Sequence, residues 1–368
     1  MPNQDRLRVS APGRICLFGE HQDFLGLPVI AAAINLRFTI AGTPHDEPLF
    51  RLRMPDLGTE VSVPLPTNGE LKYQRDRDYL RSSLNVLMRH GRRPTRGYDC
   101  TFRSTIPINA GTASSSAMIL AWLRFLLATQ GEGECDGLTL ACMANRAEVL
   151  EFGEPGGIMD HVTCSLGGTL YIECRDPVQW EALPCPLDGF VLADSLTRKE
   201  TTTVLAQSRC DVETGLATLR EKAPEFDLQH TSLEAAEEYL SLLPVHQRRK
   251  VRANLVNRAL QREGYALLKS GRVDPDRLGS LLTAHHQQLS EGLGVSTPKL
   301  DRMLEAAIAA GAKGGKLNGS GGGGAMFAYA PGRQEEVAAA LEAAGGKACI
   351  VQLDEGVRLE EFAVGSPC

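Results

Sequence analysis

Four side chains able to bind or move protons fall close together near the start of the chain. Arg14, Glu20, His21 and Asp23 lie in the segment Ala11-Pro-Gly-Arg-Ile-Cys-Leu-Phe-Gly-Glu-His-Gln-Asp-Phe-Leu-Gly26. Carboxylates and an imidazole on one glycine-bounded segment accept and donate hydrogen bonds to several hydroxyls at once, which is how a site selects a polyol over an apolar alcohol. The same residues also fit a charged surface turn. Further on, Glu154-Pro-Gly-Gly-Ile-Met-Asp-His161 places Asp160 just after a glycine-rich turn, with Glu148 upstream. One carboxylate beside an acceptor hydroxyl takes or orients its proton, and a second can complete a Mg²⁺ shell. Taken singly, each acid also fits a surface position or a helix N-terminus.

The loop Ile106-Pro-Ile-Asn-Ala-Gly-Thr-Ala-Ser-Ser-Ser-Ala117 joins a strand-like run to a helix expected to begin near Ser114. The free N–H groups and the positive end of that helix face one point, a geometry that binds anions. Asn109, Ala110, Gly111, Thr112, Ala113 and Ser114 are expected to offer backbone to phosphates. Ser115 and Ser116 are the candidate ligands for Mg²⁺ carried by a nucleotide. Three serines that merely cap a helix would look the same. The P-loop pattern G-x-x-x-x-G-K-[ST] is absent from the chain, so a different phosphate-binding architecture is needed. Lys316-Leu-Asn-Gly-Ser-Gly-Gly-Gly-Gly-Ala325 contains a G-x-G-x-x-G, but it runs into an apolar strand-like segment near the C-terminus instead of opening a helix after a first strand. It reads as a connector or as a second backbone wall beside the phosphates, through Gly319, Gly321 and Gly322.

The elements that must position these groups follow from periodicity. Leu7–Val9 is expected as a short strand entering a turn at Ala11-Pro-Gly, and Pro28–Phe38 as a further strand. Ser114–Leu127 and Leu138–Phe152 are expected as core helices. Strands are expected at Gly168–Cys174, Phe190–Ala193, Ala325–Ala330 and Cys349–Leu353. The pattern is largely helical from Val212 to Ile308, with another helix near Glu335–Ala344. His285 and His286, on that helical stretch, read as structural.

The chain has 368 residues, 43% hydrophobic and 23% charged, which suits a globular protein with more than one core. A net charge of −6 argues against a nucleic-acid binder, and the basic cluster Arg89, His90, Arg92, Arg93, Arg96 lacks interleaved aromatics and reads as a solvated loop. Ten scattered cysteines without C-x-x-C pairs fit reduced thiols in a cytoplasmic protein, and no apolar run is long enough to span a bilayer.

Together these segments resemble the GHMP kinase superfamily, named for galactokinase, homoserine, mevalonate and phosphomevalonate kinases. Gly13-Arg-Ile-Cys-Leu-Phe-Gly-Glu-His-Gln-Asp23 is similar to the galactokinase signature G-R-V-N-L-I-G-E-H-T-D, and Gly157-Ile-Met-Asp160 matches its G-I-M-D. His285 to Leu300, with Val295-Ser-Thr-Pro-Lys-Leu-Asp301, looks like the helical segment before the third motif. The resemblance implies an α+β fold of two lobes: a ribosomal-protein-like N-terminal lobe over 1–188 and a ferredoxin-like C-terminal lobe over 189–368. ATP with Mg²⁺ and a sugar would meet in the cleft between them. Carried over by position, Asp160 and Arg14 are catalytic, Glu20, His21, Asp23 and Gly157 bind the sugar, and Ser116 and Glu148 hold Mg²⁺. The implied activity is transfer of the γ-phosphate of ATP to a monosaccharide hydroxyl, the anomeric one by likeness to galactokinase, in a monomer or homodimer. A mevalonate-type kinase of a non-sugar alcohol and a catalytically silent sugar sensor are the competing readings. Departures from the galactokinase pattern are specific: the phosphate loop is one residue longer and lacks paired glycines. In addition, Phe24-Leu25 replaces Tyr-Asn, and His161 replaces a glutamine.

Overall fold

The computed structural model describes residues 6–67, 69–131, 135–197 and 202–360. Its first sheet is built on two long strands, β1 (Leu7–Phe18) and β2 (Val29–His45), paired antiparallel from Leu7↔Gly42 to Phe18↔Ile30. Near-continuous apolar runs are the mark of strands covered on both faces, and every residue of β1 from Val9 onward is buried. The strand does not stop at Ala11-Pro-Gly, where a turn was expected. A register shift between Pro12 and Gly13 absorbs the missing proline N–H, and the ladder continues past it. Arg14 therefore sits within a buried strand, not on a surface turn.

Strands β3 (Leu49–Met54), β4 (Thr59–Pro64), β5 (Gly97–Ser104), β6 (Thr169–Glu173) and β7 (Gln179–Ala182) extend this sheet, in which β3 and β5 pair in parallel. Helices α1 (Tyr79–Arg89), α2 (Ser114–Ala128), α3 (Gly137–Asn145) and α4 (Met159–Leu166) cover it, with α2 and α4 lying on β1 and β2. Helix α2 is apolar over most of its length because most of it is enclosed. Trp122 and Phe125 pack with Phe50 and Phe102 of the sheet, and the Trp122 indole donates to the Leu80 carbonyl at 3.2 Å.

The second lobe carries an antiparallel sheet of β8 (Phe190–Asp194), β9 (Gly314–Asn318), β10 (Ala325–Tyr329) and β11 (Lys347–Val351), in the order β11-β8-β10-β9. Helices α5 (Thr202–Lys222), α6 (Leu233–Leu240), α7 (Val245–Lys269), α8 (Pro275–Gln287), α9 (Pro298–Ala309) and α10 (Gln334–Ala343) complete it. The Ser-Thr-Pro of the expected helical segment opens α9: the Thr297 hydroxyl caps Leu300 N–H and Pro298 takes the first turn. A short strand β12 (Arg358–Glu360), absent from the sequence expectations, returns to β1, so the first sheet reads β12-β1-β2-β5-β3-β4.

The lobes share one apolar cluster. Ile15, Phe18, Ile30 and Ile34 of the first sheet pack with Phe190 and Phe327 of the second sheet and Leu281 of α8. A shared interior of this kind disfavours free rotation of one lobe against the other. No helix among the described residues is long and apolar enough to cross a membrane.

Candidate active site

The phosphate loop reaches α2 by a path that three residues make possible. Asn109, Gly111 and Ala113 adopt left-handed backbone, with φ of 58°, 82° and 62°. Left-handed residues in such a loop help turn successive peptides into an anion-binding concavity, and here two of the three are not glycine. The loop is fastened to both lobes. Arg14 N–H donates to Thr112 O at 3.2 Å and Ala325 N–H to Ala110 O at 2.7 Å, while Asn318 Nδ2 donates to Gly111 O at 2.9 Å. Gly111 and Gly319 touch backbone to backbone, so that a Cβ on Gly111 would fall 2.4 Å from the Asn318 carbonyl oxygen.

The glycine run of residues 319–324 thus does stand beside the phosphate loop. The Gly319 N–H donates to Glu20 Oε2 at 2.9 Å, and the Gly322 N–H to Val295 O at 2.7 Å. What the run brings to the site is close-packed backbone. Ser320 O lies 3.0 Å from His21 Nε2.

A cleft of about 650 Å³ opens between the lobes. Arg14, Glu20, His21, Asp23, Ser115, Ser116, Glu148, Gly157, Asp160 and Gly319 of the expected residues line it together. Asn109, Ala110, Gly111, Thr112, Ala113, Ser114, Gly321 and Gly322 do not line it. The side chains of Ala110, Thr112 and Ala113 are buried, which leaves only their main chain to offer.

At the base of the cleft Arg14 grips Asp160 at two points, Nε to Oδ1 at 2.8 Å and Nη2 to Oδ2 at 3.0 Å. Its Nη1 reaches Gly111 O at 2.5 Å, so one guanidinium connects the phosphate loop to the carboxylate. Burial would pull the Arg14 pKa down, but Asp160 and then Glu20 outweigh it and hold the group firmly protonated.

Asp23 packs directly on Gly157, where a Cβ would fall 2.0 Å from its Oδ2, and this contact joins the first segment to the Asp160 turn. Burial, then the neighbouring Asp160 charge, pushes the Asp23 carboxyl up to about 6. Glu20 behaves oppositely. Burial raises it, but Lys316 and then Arg14 dominate and hold it below the usual carboxylate range. Lys316 is wholly buried; its Nζ lies 3.0 Å from Glu20 Oε2 and 2.8 Å from the carbonyls of Cys16 and Leu317. Glu20 is therefore engaged mainly in holding the lobes together. His21 is kept neutral by burial, against the pull of Glu20.

Opposite Asp160 lies a second carboxylate centre. The expected helix over 138–152 is in fact α3 followed by a π-helical turn, Arg146–Leu150, whose extra residue per turn presents Glu148 to the start of α2. Glu148 Oε2 accepts from Ser116 Oγ at 2.7 Å and sits 2.8 Å from His161 Nε2. His161 Nδ1 faces Asn145 Nδ2 at 3.4 Å, which assigns the proton to Nε2 and makes His161 the donor to Glu148. Burial raises the Glu148 carboxyl, yet hydrogen bonds from His161, Ser115 and Ser116 keep it below its ordinary value. An ionised carboxylate beside a helix-start hydroxyl is a hard oxygen donor set. It fits Mg²⁺ carried by a nucleotide, with His161 orienting the carboxylate from behind.

Several cleft residues were not anticipated. The Arg209 guanidinium lies over the Phe24 ring, 4.3 Å from its centroid, and pairs with Glu213 at 2.8 Å. Arg77, paired with Glu154, and Tyr79 form the opposite rim. An Arg and a Glu four apart on a helix read as a solvated face, so only the aromatic at Phe24, beside Asp23, hinted at a cation partner.

Comparison with known proteins places this geometry. The chain matches the descriptions "GHMP kinases N terminal domain" over residues 78–168, "GHMP kinases C terminal" over 265–347 and "Galactokinase galactose-binding signature" over 3–44. It is 30% identical to a mevalonate kinase of Pyrococcus furiosus over 96% of this chain and 98% of the relative. It is 28% identical to a galactokinase of Thermococcus kodakarensis over 88% of this chain and 89% of the relative. Its fold resembles that of Lactococcus lactis galactokinase complexed with galactose, with a TM-score of 0.83 at 20% identity, covering 97% and 95% of the two chains. The two-lobed α+β architecture, and the likeness that runs from the first strand through the last helix, make this chain a member of the GHMP kinase family of phosphotransferases.

Proposed function

We propose that this protein transfers the γ-phosphate of ATP to a hydroxyl of a monosaccharide, the anomeric one by its likeness to galactokinase. The observation that carries the reading is the acidic acceptor end of the cleft, where Asp23 on Gly157 and Asp160 on Arg14 face the same space. Carboxylates are good hydrogen-bond acceptors for a polyol and repel a carboxylate-bearing substrate. Asp160 orients the attacking hydroxyl and accepts its proton, and Arg14 holds both oxygens of Asp160 in place. His21 and Asp23 bind the other hydroxyls. The main chain of residues 109–114 and Ser115 receive the phosphates, and Ser116 with Glu148 holds Mg²⁺, which neutralises phosphate charge when bound.

One observation favours a second reading. Arg209 is a cation in the cleft, which a carboxylate acceptor of the mevalonate type would need, and the Pyrococcus furiosus relative carries that name. An ADP-release assay over galactose, other hexoses, uronic acids, arabinose, fucose, amino sugars and mevalonate decides between them. Turnover with one or more sugars supports the proposal. Turnover with mevalonate alone overturns it, and nucleotide and sugar binding without any ADP release would make the protein a sensor.

A further inference from the structure

On the far side of the Asp23 segment lies a second cavity, of about 270 Å³, between the start of β2, the end of β6 and the inner face of α7. Three guanidinium groups, Arg175, Arg258 and Arg262, line it with the imidazole of His230, against the acid Glu173 in the lining and Asp227 behind His230. The imidazole of His230 is held by Asp227, 2.5 Å from its Nδ1. Arg175 and Arg262 stand exposed at the rim, whereas Arg258 is only 4% exposed at the floor.

Arg258 and its neighbour one turn along α7, Gln261, are built into the floor and incompletely used. The Arg258 terminal nitrogens donate to the carbonyls of Leu228 and Thr231, both neutral acceptors. Its Nε is buried with no hydrogen-bond partner among the described residues, and so is Nε2 of Gln261, which is 2% exposed. Unmatched buried donors are costly, more so on a charged group, and favour a ligand that supplies acceptors. Burial, then the adjacent Arg262, pulls the Arg258 guanidinium down to about 10, with Asp227 opposing only in part. Two tyrosines, Tyr171 and Tyr265, with ring centroids 4.4 Å apart, form an apolar wall beside these donors.

We infer that this cavity is a binding site for a small oxyanion carrying two negative charges, for which a phosphomonoester is the best fit. Guanidinium forks with an imidazole are the side-chain set that meets a phosphate's oxygens in several directions. The volume leaves room for a few carbon atoms against the tyrosines. The site is separate from the phosphate loop and does not depend on the reaction proposed above. It is joined to the acceptor side of the cleft through Gly26, whose carbonyl accepts from Gln229 Nε2 at 3.0 Å, three residues after Asp23.

The test uses the full chain with the phosphate loop already filled by a saturating non-hydrolysable ATP analogue and Mg²⁺. Inorganic phosphate and, separately, succinate are titrated by calorimetry at constant ionic strength. The expected result is saturable one-to-one binding of phosphate that weakens at least about tenfold in Arg262→Ala and in Arg175→Ala. Both are exposed rim residues, so the variants should keep the native melting temperature and affinity for the analogue. Binding of succinate alone, with the same dependence on the two arginines, keeps the site and assigns it to dicarboxylates. Absence of saturable binding by either anion, or binding that both variants leave unchanged, overturns the inference.

Discussion

Arg14 meets Asp160 through two parallel hydrogen bonds, Nε to Oδ1 at 2.8 Å and Nη2 to Oδ2 at 3.0 Å, while its third nitrogen holds the phosphate loop at Gly111 O. The acid proposed to face the acceptor and the loop proposed to face the nucleotide are thus positioned by one rigid fork. A planar guanidinium fixes both oxygens and their plane, which an ammonium cannot do.

Asp160→Asn keeps the shape of the grip and removes the charge and the proton acceptor. We expect kcat to fall by about 10²–10⁴ in an ADP-release assay, with nucleotide affinity retained. Arg14→Lys should keep most of the stability but lose the two-point grip, lowering kcat by roughly 10–100-fold. Undiminished turnover in Asp160→Asn would remove it from the mechanism.

The Glu20–Lys316 pair is a charged link between the lobes, and it is almost wholly buried. Removing one partner leaves the other charge in a low-dielectric interior, so Lys316→Met should destabilise the protein by about 3–5 kcal/mol. Lys316→Met combined with Glu20→Gln should recover part of that loss, because no lone buried charge then remains. Denaturant melts of the two variants test this. Equal stability of the single and double variants would show that the pair is uncoupled.

Asp23 gives a pH dependence. Its carboxyl is raised from 3.8 to about 6 by burial and by Asp160, so the folded protein binds this proton more tightly than the unfolded chain does. The corresponding stability is complete below about pH 4, is lost as the pH rises through 6, and stays lost above it. Asp23→Asn removes the titration. It should therefore be more stable than the native chain at pH 7, on the order of 1–2 kcal/mol, and equal to it near pH 4. Melting temperatures across pH 4–8 read this directly, and parallel curves for the two proteins would contradict it.

Much of the site was legible in the sequence because side-chain chemistry is local. The acids, the serines and the glycine turns announce themselves by type and spacing, and Arg14, Asp23, Glu148 and Asp160 do meet in one cleft. What the sequence hid was long-range pairing. Ala11-Pro-Gly looks like a turn, and only the register shift with β2 keeps it a strand. Lys316 looked like the flank of a glycine run, yet its partner Glu20 is nearly three hundred positions away. Glu148 was placed on an ordinary helix. The π-helical turn that aims it packs against α1 and α2, contacts that periodicity does not encode.

The phosphate loop offers the sharpest contrast between neighbouring positions. Ala113 holds φ at 62°, a conformation that costs an L-residue about 1–2 kcal/mol and glycine almost nothing. Ala113→Gly should therefore gain stability, by roughly 0.5–1 kcal/mol once the greater freedom of glycine in the unfolded chain is counted. Two positions earlier the sign reverses. Gly111 shares the left-handed conformation, and a Cβ there would fall 2.4 Å from Asn318 O, against backbone of the other lobe that cannot yield cheaply. Gly111→Ala should push the loop off residues 318–319 and disturb the Arg14 contact at Gly111 O, weakening both stability and nucleotide binding. Thermal melts and nucleotide titrations on the two variants should move in opposite directions. A destabilised Ala113→Gly would mean that the native alanine methyl, packed in the α2 core, contributes more than the strain it carries.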